Sequence, residues 1–142
     1  MEHKNSQSAS YAAAGVDITA GYKAVELMKK HAAILGPKFR LVVETLRREV
    51  GPLEICRWTE PKGGYFVSFY GMDGTAKRIF NLMKEAGVVM TSAGAAFPYG
   101  QDPHDNHIRI APSLPPLEEL EQAISVFCLC VKIASLEKLL EA

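Results

Sequence analysis

The chain has 142 residues, of which 48% are hydrophobic and 23% are charged, so it is long enough to bury one hydrophobic core. Sixteen basic residues balance sixteen acidic ones and no basic run alternates with aromatic residues, which argues against a nucleic-acid partner. The longest nearly apolar run, residues 124 to 131, is far shorter than the roughly 20 residues that a membrane span needs, which argues against a membrane protein.

The amino terminus predicts a disordered tail, and the cysteines predict the cellular compartment of the protein. Residues 1 to 10 are polar and lack a periodic apolar pattern, so we expect a disordered tail. The cysteines are odd in number, and Cys128 and Cys130 lie in an apolar helical pattern, whereas Cys56 stands alone. This pattern favours reduced thiols over a disulfide framework or a zinc site, and therefore a cytoplasmic protein.

Two helices are predicted in the first third of the chain. The first, within residues 10 to 28, would be capped by Asp17 or Thr19. The second covers about residues 37 to 50 and ends at Gly51-Pro52. The apolar positions are Tyr22, Val25 and Met28 in the first helix and Phe39, Val42, Val43, Leu46 and Val50 in the second.

The middle of the chain predicts a β-hairpin followed by a capped helix. Residues 54 to 58 and the aromatic and β-branched run 65 to 70 would pair across a turn at residues 61 to 64. Asp73 would cap the next helix and Gly87 would end it. The buried face of this helix would consist of Ala76, Ile79, Phe80 and Met83.

Two short strands and a long helix are predicted in the last third. The strands are Val88 to Met90 and His107 to Ala111, and the helix opens at Pro116 with Glu118 and Glu119 at the positive end of its dipole. Its apolar positions are Leu117, Leu120, Ile124, Phe127, Val131 and Ala134. Together these elements predict an α+β fold in which helices pack on a small, largely antiparallel sheet, preceded by a short N-terminal tail and helix.

Arg109 is the main candidate for a functional side chain. It lies between Ile108 and Ile110 in a predicted buried strand, where an unpaired guanidinium would be costly, so an anionic partner is expected. The planar fork of arginine matches a carboxylate in bidentate fashion. The residues alone leave two partners open, an acid of the chain itself in a structural ion pair or the carboxylate of a ligand.

Two other groups of residues are weaker candidates for a functional site. The histidines and aspartates of residues 102 to 107 do not have the spacing of a defined metal site. Ser135 and Lys138 share the S-x-x-K spacing of penicillin-binding enzymes, but the companion motifs of those enzymes are missing. We therefore predict no catalytic, cofactor-binding or metal-binding residue in this chain.

Four strings in a fixed order carry a family resemblance. They are KKHAAILGPKF (29 to 39), WTEPKGGYFVS (58 to 68), AKRIFNLMKEAGVVMTSAGAAFPYGQDP (76 to 103) and NHIRIAPSLPPLEEL (106 to 120). Through them, residues 29 to 140 resemble the carboxy-terminal small domain of fold-type I pyridoxal-phosphate (PLP) aminotransferases. The resemblance is to the bacterial aspartate-aminotransferase-like group related to the MocR regulators.

This resemblance implies a function for the complete enzyme and a role for one residue. In the family the arginine of the last strand binds the α-carboxylate of the amino acid or 2-oxo acid, and this role falls on Arg109. The cofactor, PLP, is held by a lysine and by phosphate contacts in a preceding large domain, and neither Lys62 nor Lys132 has that lysine's context. We therefore expect a fragment that carries the carboxylate arginine, binds no PLP alone and does not transaminate alone.

Residues 10 to 30 resemble a second family, the amino terminus of phosphoribosylaminoimidazole synthetase, the purine-pathway cyclo-ligase. The matching residues are Tyr11, Ala14, Gly15, Val16, Asp17, Ile18, Gly21 and Val25. We accordingly expect two segments, 1 to 28 and 29 to 142, joined near residues 28 to 31 by a real fusion or an assembly error.

Two other functions remain open. One is a non-catalytic amino-acid-binding or interaction module, and the other is a remnant of purine biosynthesis (phosphoribosylformylglycinamidine cyclo-ligase). Because the last helix is apolar nearly all round, we also expect exposed apolar surface and self-association into a homo-oligomer.

Overall fold

The fold is known from a computed structural model, which describes residues 18 to 62 and 64 to 141. The chain divides into two compact units, residues 1 to 34 and residues 35 to 142. In chain order the elements are helix α1 (Ile18–Glu49), a 3-10 turn (Gly51–Leu53), strand β1 (Arg57–Trp58), strand β2 (Val67–Tyr70), helix α2 (Ala76–Glu85), a 3-10 turn (Pro98–Gly100), strand β3 (His107–Ile110) and helix α3 (Leu117–Leu140).

The described part of the first unit is helical. Its predicted apolar positions, Tyr22, Val25 and Met28, are exposed. Thr19 lies within the helix, so the prediction of a cap at Thr19 is wrong. The predicted tail at residues 1 to 10 and the alternative cap at Asp17 lie outside the described residues.

Helix α1 continues through Pro37, where the sequence predicted that a helix begins. A proline inside a helix removes one backbone hydrogen bond and costs about 3 kcal/mol, which is why the position suggested a boundary. Packing outweighs this cost, because Leu35 before the proline and Val42 and Leu46 after it are buried. The predicted end before Gly51 is confirmed, and the predicted face is buried except at Phe39, which is half-buried.

The three strands form an antiparallel sheet in the order β1-β2-β3. Phe69 in the central strand pairs with Trp58 on one side and Ile108 on the other, while Val67 pairs with Ile110. The predicted hairpin is therefore confirmed, although both of its strands are shorter than predicted. The predicted turn at residues 61 to 64 includes residue 63, which lies outside the described residues.

Helices and sheet enclose one core, as expected of the predicted α+β fold. Phe69 of the sheet and Phe127 of α3 meet edge to face, with ring centroids 4.9 Å apart. Phe80 of α2 is half-buried, whereas the other predicted core positions of that helix are buried. Other fully buried members of the core are Val42, Leu46, Val50, Val67, Ile79 and Val131.

The predicted strand at Val88 to Met90 is absent from the described sheet, so this prediction is wrong. The amide of Val88 instead donates to the carbonyl of Met83 at 3.0 Å, which closes the end of α2. Val89 is 98% exposed. An apolar run becomes a strand only when another strand lies beside it, and none does so among the described residues.

Helix α3 begins after Pro116, as predicted, and buries one side against the core. Leu117, predicted to be buried, is exposed, as are Leu129 and Leu136.

Cys128 and Cys130 are buried and unpaired, and burial raises the pKa of the Cys128 thiol to about 12. No helix of the described residues has both the length and the apolar character that a membrane crossing requires.

Candidate carboxylate-binding site

Arg109 lies on the face of the sheet that points away from the core. Its neighbours in β3, Ile108 and Ile110, are buried, and the alternation of side chains along a strand places Arg109 on the opposite face. Arg109 is half-buried and pairs with Ser68 of β2. The strand thus holds a guanidinium group at a partly hydrated surface and not inside the core.

The nearest defined partner of the Arg109 guanidinium is an aromatic ring. The guanidinium carbon lies over the ring of Phe66, 4.7 Å from its centroid. None of the ion pairs between described residues uses Arg109; their cations are Arg47, Arg48, Arg78, His104, Lys132 and Lys138. The structural ion pair that the sequence left open is therefore not formed with any described carboxylate.

Two aromatic rings pack against His107, which shares a face of β3 with Arg109. The His107 ring lies 4.9 Å from the Tyr70 ring and 5.6 Å from the Phe97 ring. Burial is the main reason why the pKa of His107 lies below its ordinary value; the charge of Arg109 acts in the same direction, and the Asp102 carboxylate opposes both. The neutral imidazole is favoured, so the positive charge of this region comes from Arg109 and from Arg57, whose guanidinium carbon lies 4.1 Å from the centroid of the Tyr70 ring.

A tight turn before β3 is held together by the carboxylate of Asp102. This carboxylate accepts hydrogen bonds from the backbone amides of His104 at 3.0 Å and of Asn106 and His107 at 2.9 Å each. Burial raises the pKa of Asp102, but the three amides outweigh this effect and the pKa lies below its ordinary value. Asp102 therefore fixes the start of the strand that carries Arg109.

Asp105, and not Asp73, caps helix α2. The Asp105 carbonyl accepts the amide of Ala76 at 2.9 Å and its carboxylate accepts the amide of Lys77 at 3.0 Å. The prediction that Asp73 caps this helix is wrong, because its carboxylate accepts the side-chain amide of Asn106 at 2.9 Å instead. Asp105 and Lys77 are 28 residues apart in the sequence, so a local sequence pattern cannot predict this cap.

The loop that carries Phe97 is closed by two glycines. Gly94 has a φ of +83°, and a Cβ at this position would collide with the carbonyl oxygen of Gly100. Only glycine permits this close approach without a shift of the backbone. The closed loop holds Phe97 against His107, next to the strand position of Arg109.

The sequence predicted Arg109 as a candidate site residue, but it did not point to Phe66 or Asp102. Phe66 could have been found by extending the side-chain alternation of β2 by one residue, since residues 66 and 68 share a face. Asp102 carried no signal beyond its place in a polar turn. Within the described residues, no group of three or more histidine, cysteine, aspartate or glutamate side chains is arranged to hold a metal ion.

Comparisons with known proteins show which family the sequence resembles. The sequence profile of a family described as Aspartate amino-transferase matches residues 12–142. An aspartate aminotransferase from Corynebacterium glutamicum is 47% identical over 117 residues, which are 82% of this chain and 27% of that protein. The chain therefore spans about a quarter of the length of this relative.

Solved structures show the same similarity. The crystal structure of an aspartate transaminase from C. glutamicum superposes with a TM-score of 0.77 at 46% identity, over 80% of this chain and 27% of that one. LysN, an α-aminoadipate aminotransferase from Thermus thermophilus complexed with N-(5'-phosphopyridoxyl)-L-leucine, shares the fold, with a TM-score of 0.61 at 23% identity over 77% of this chain and 29% of that one.

These comparisons do not support the resemblance of residues 10 to 30 to a purine-pathway enzyme. The aminotransferase profile begins at residue 12 and takes in most of residues 10 to 30. A fusion of two unrelated families near residues 28 to 31 is therefore not needed to account for this part of the sequence.

Proposed function

The chain belongs to the aspartate aminotransferase family, and from this we propose that it is the carboxy-terminal small domain of a PLP-dependent aminotransferase, in which Arg109 binds the α-carboxylate of the substrate. The observation that carries the proposal is the position of Arg109, half-buried on the open face of the sheet and not ion-paired with any described carboxylate. In the complete enzyme the substrates would be amino acids and 2-oxo acids.

Arg109 would contribute orientation rather than bond-making chemistry. Two parallel N–H donors of a guanidinium match the two oxygens of a carboxylate, which fixes both the position and the rotation of the substrate. Holding one end of a small substrate in this way fixes the direction in which its α-carbon points. The fixed start of β3 at Asp102 would keep the arginine itself in place.

The described residues of this chain do not fit PLP. In the complete enzyme, PLP supplies an electron sink for the bonds at the substrate's α-carbon. A lysine that holds this cofactor has to be free to react, but Lys38 donates to the carbonyl of Ser113 at 2.9 Å and Lys132 pairs with Glu49 at 3.3 Å. Lys62 is exposed.

We therefore expect that the 142-residue chain does not bind PLP at a defined lysine. After incubation with PLP and reduction with borohydride, no lysine should be labelled more strongly in the folded chain than in the same chain unfolded in urea. Peptide mapping by mass spectrometry makes the comparison. Stoichiometric labelling of one lysine in the folded chain alone would refute the assignment as a domain without its own cofactor site.

Replacing Arg109 by leucine distinguishes a ligand-binding arginine from a structural one. A buried ion pair broken on one side costs about 3 to 5 kcal/mol. Because Arg109 is half-buried and has no described carboxylate partner, we expect the free energy of unfolding to change by no more than about 1 kcal/mol. Urea denaturation of both chains gives this difference.

The second half of this test measures substrate binding. In a complete aminotransferase that carries this small domain, Arg109→Leu should weaken binding of amino and 2-oxo acids and leave cofactor attachment intact. A large loss of stability in the chain together with unchanged substrate affinity in the enzyme would overturn the role of Arg109.

A further inference from the structure

We propose that Phe66 is a positioning residue for Arg109, whose ring holds the guanidinium group in place to receive a carboxylate. This inference rests on the proposed function, because it takes Arg109 to be the carboxylate-binding residue. It assigns a role to Phe66, the second of the two aromatic residues in the PKGGYF string.

The position of Phe66 on the sheet supports this role. Phe66 directly precedes β2, and the alternation of side chains places it on the same face as Ser68, which pairs with Arg109. Residues diagonal to each other on neighbouring antiparallel strands are within reach of an aromatic side chain. The guanidinium carbon accordingly lies 4.7 Å from the centre of the Phe66 ring.

The burial of Phe66 argues against a packing role. A phenylalanine that stabilises a core is buried, as Phe69 and Phe127 are, whereas Phe66 is 42% exposed. The face of an aromatic ring is electron-rich and attracts a cation. The contact with Arg109 is the defined interaction that this ring makes among the described residues.

The side chain of Arg109 needs such a restraint. No side-chain hydrogen bond or ion pair of Arg109 is formed within residues 18 to 62 and 64 to 141, so its flexible stem is not held by polar contacts there. An arginine ordered before the ligand arrives loses less conformational entropy on binding. The ring holds the cation without using any of its N–H donors, which all remain available to a carboxylate.

The ring need not be phenylalanine for this role. Tyrosine has the same ring face, so Phe66→Tyr should preserve the contact, whereas Phe66→Leu removes the ring and retains an apolar side chain. Tyr65 provides a matched control, because it is an adjacent exposed aromatic residue, whereas the ring over the Arg109 guanidinium is that of Phe66.

The test uses the complete 142-residue chain and acetate as the probe, with acetamide as the neutral control. The Arg109 Nε–H resonance is followed by NMR during the titrations, and the amide spectrum of each variant reports whether it folds. We expect Phe66→Leu to weaken acetate binding about 3-fold, the loss of one exposed cation–π contact. Phe66→Tyr and Tyr65→Leu should bind acetate as the unmodified chain does, and acetamide should not bind.

The outcomes separate the two proposals. If Arg109→Gln abolishes acetate binding but Phe66→Leu leaves it unchanged, the positioning role of Phe66 is overturned and the role of Arg109 stands. If the chain does not respond to acetate, or responds equally after Arg109→Gln, both proposals are overturned. If Phe66→Tyr binds as weakly as Phe66→Leu, the ring face is not what holds the guanidinium and the inference is wrong.

Discussion

Replacing Phe127 by alanine is expected to lower the free energy of unfolding by about 3 to 5 kcal/mol. Phe127 is 2% exposed and its ring meets Phe69 of the central strand edge to face, so its removal opens a cavity where α3 packs on the sheet. Aromatic pairs of this geometry add about 0.5 to 1.5 kcal/mol beyond the area that they bury. Since a domain is stable by about 5 to 15 kcal/mol, the variant should unfold at a much lower urea concentration.

Leu129 is the matched control for this experiment. It lies two residues further along the same helix but is 56% exposed, so Leu129→Ala should change the free energy of unfolding by no more than about 0.5 kcal/mol. Circular dichroism during urea denaturation measures both variants. Equal losses in the two variants would mean that α3 does not present Phe127 to the sheet.

The helical faces could be predicted because their information is local. Apolar residues at helical spacing identified Val42 and Leu46 on α1 and Ile124 and Phe127 on α3, and these side chains are buried. The same rule misjudged the region around Pro37. A proline has a strong local signal, but the packing of the residues before and after it decides whether the helix continues.

Strand pairing and helix capping were harder to predict because they depend on distant residues. The run Val88 to Met90 has strand-like residues, but no described strand lies beside it. Asp73 has the right type and position for a cap, yet Asp105 reaches α2 from a remote loop and takes that role. The first error assumed a partner strand that the described sheet does not contain, and the second assigned the cap to a nearby aspartate and not to the distant one.

The candidate site shows the same limit. Arg109 could be singled out as a candidate because a charged residue between two isoleucines of a short strand calls for an anionic partner. Its contact with Phe66 depends on the register between β2 and β3, which the sequence did not determine. The three hydrogen bonds of Asp102 depend on the path of a turn, and a polar turn is consistent with many paths.

Replacing Asp102 by alanine is expected to cost about 2 to 4 kcal/mol, because three backbone amides lose a charged acceptor at once. The loss should also depend on pH. The pKa of Asp102 is lowered in the folded chain, so its contribution is fully present above the unfolded pKa of about 3.9 and disappears as pH falls through the lower folded value. The difference in unfolding free energy between the two chains should therefore be constant near pH 7 and shrink in acid.

Asp73→Ala is the control that separates the effect of losing the Asp102 turn from the effect of losing a surface negative charge. Its carboxylate is exposed and accepts hydrogen bonds from side chains only, so Asp73→Ala should cost less than about 1 kcal/mol. Because Asp102 fixes the start of β3, Asp102→Ala should also shift the amide resonances of His107 and Arg109, whereas Asp73→Ala should leave Arg109 unchanged. If Asp102→Ala is no more destabilising than Asp73→Ala, or its cost does not fall in acid, the turn does not hold the strand that carries the arginine.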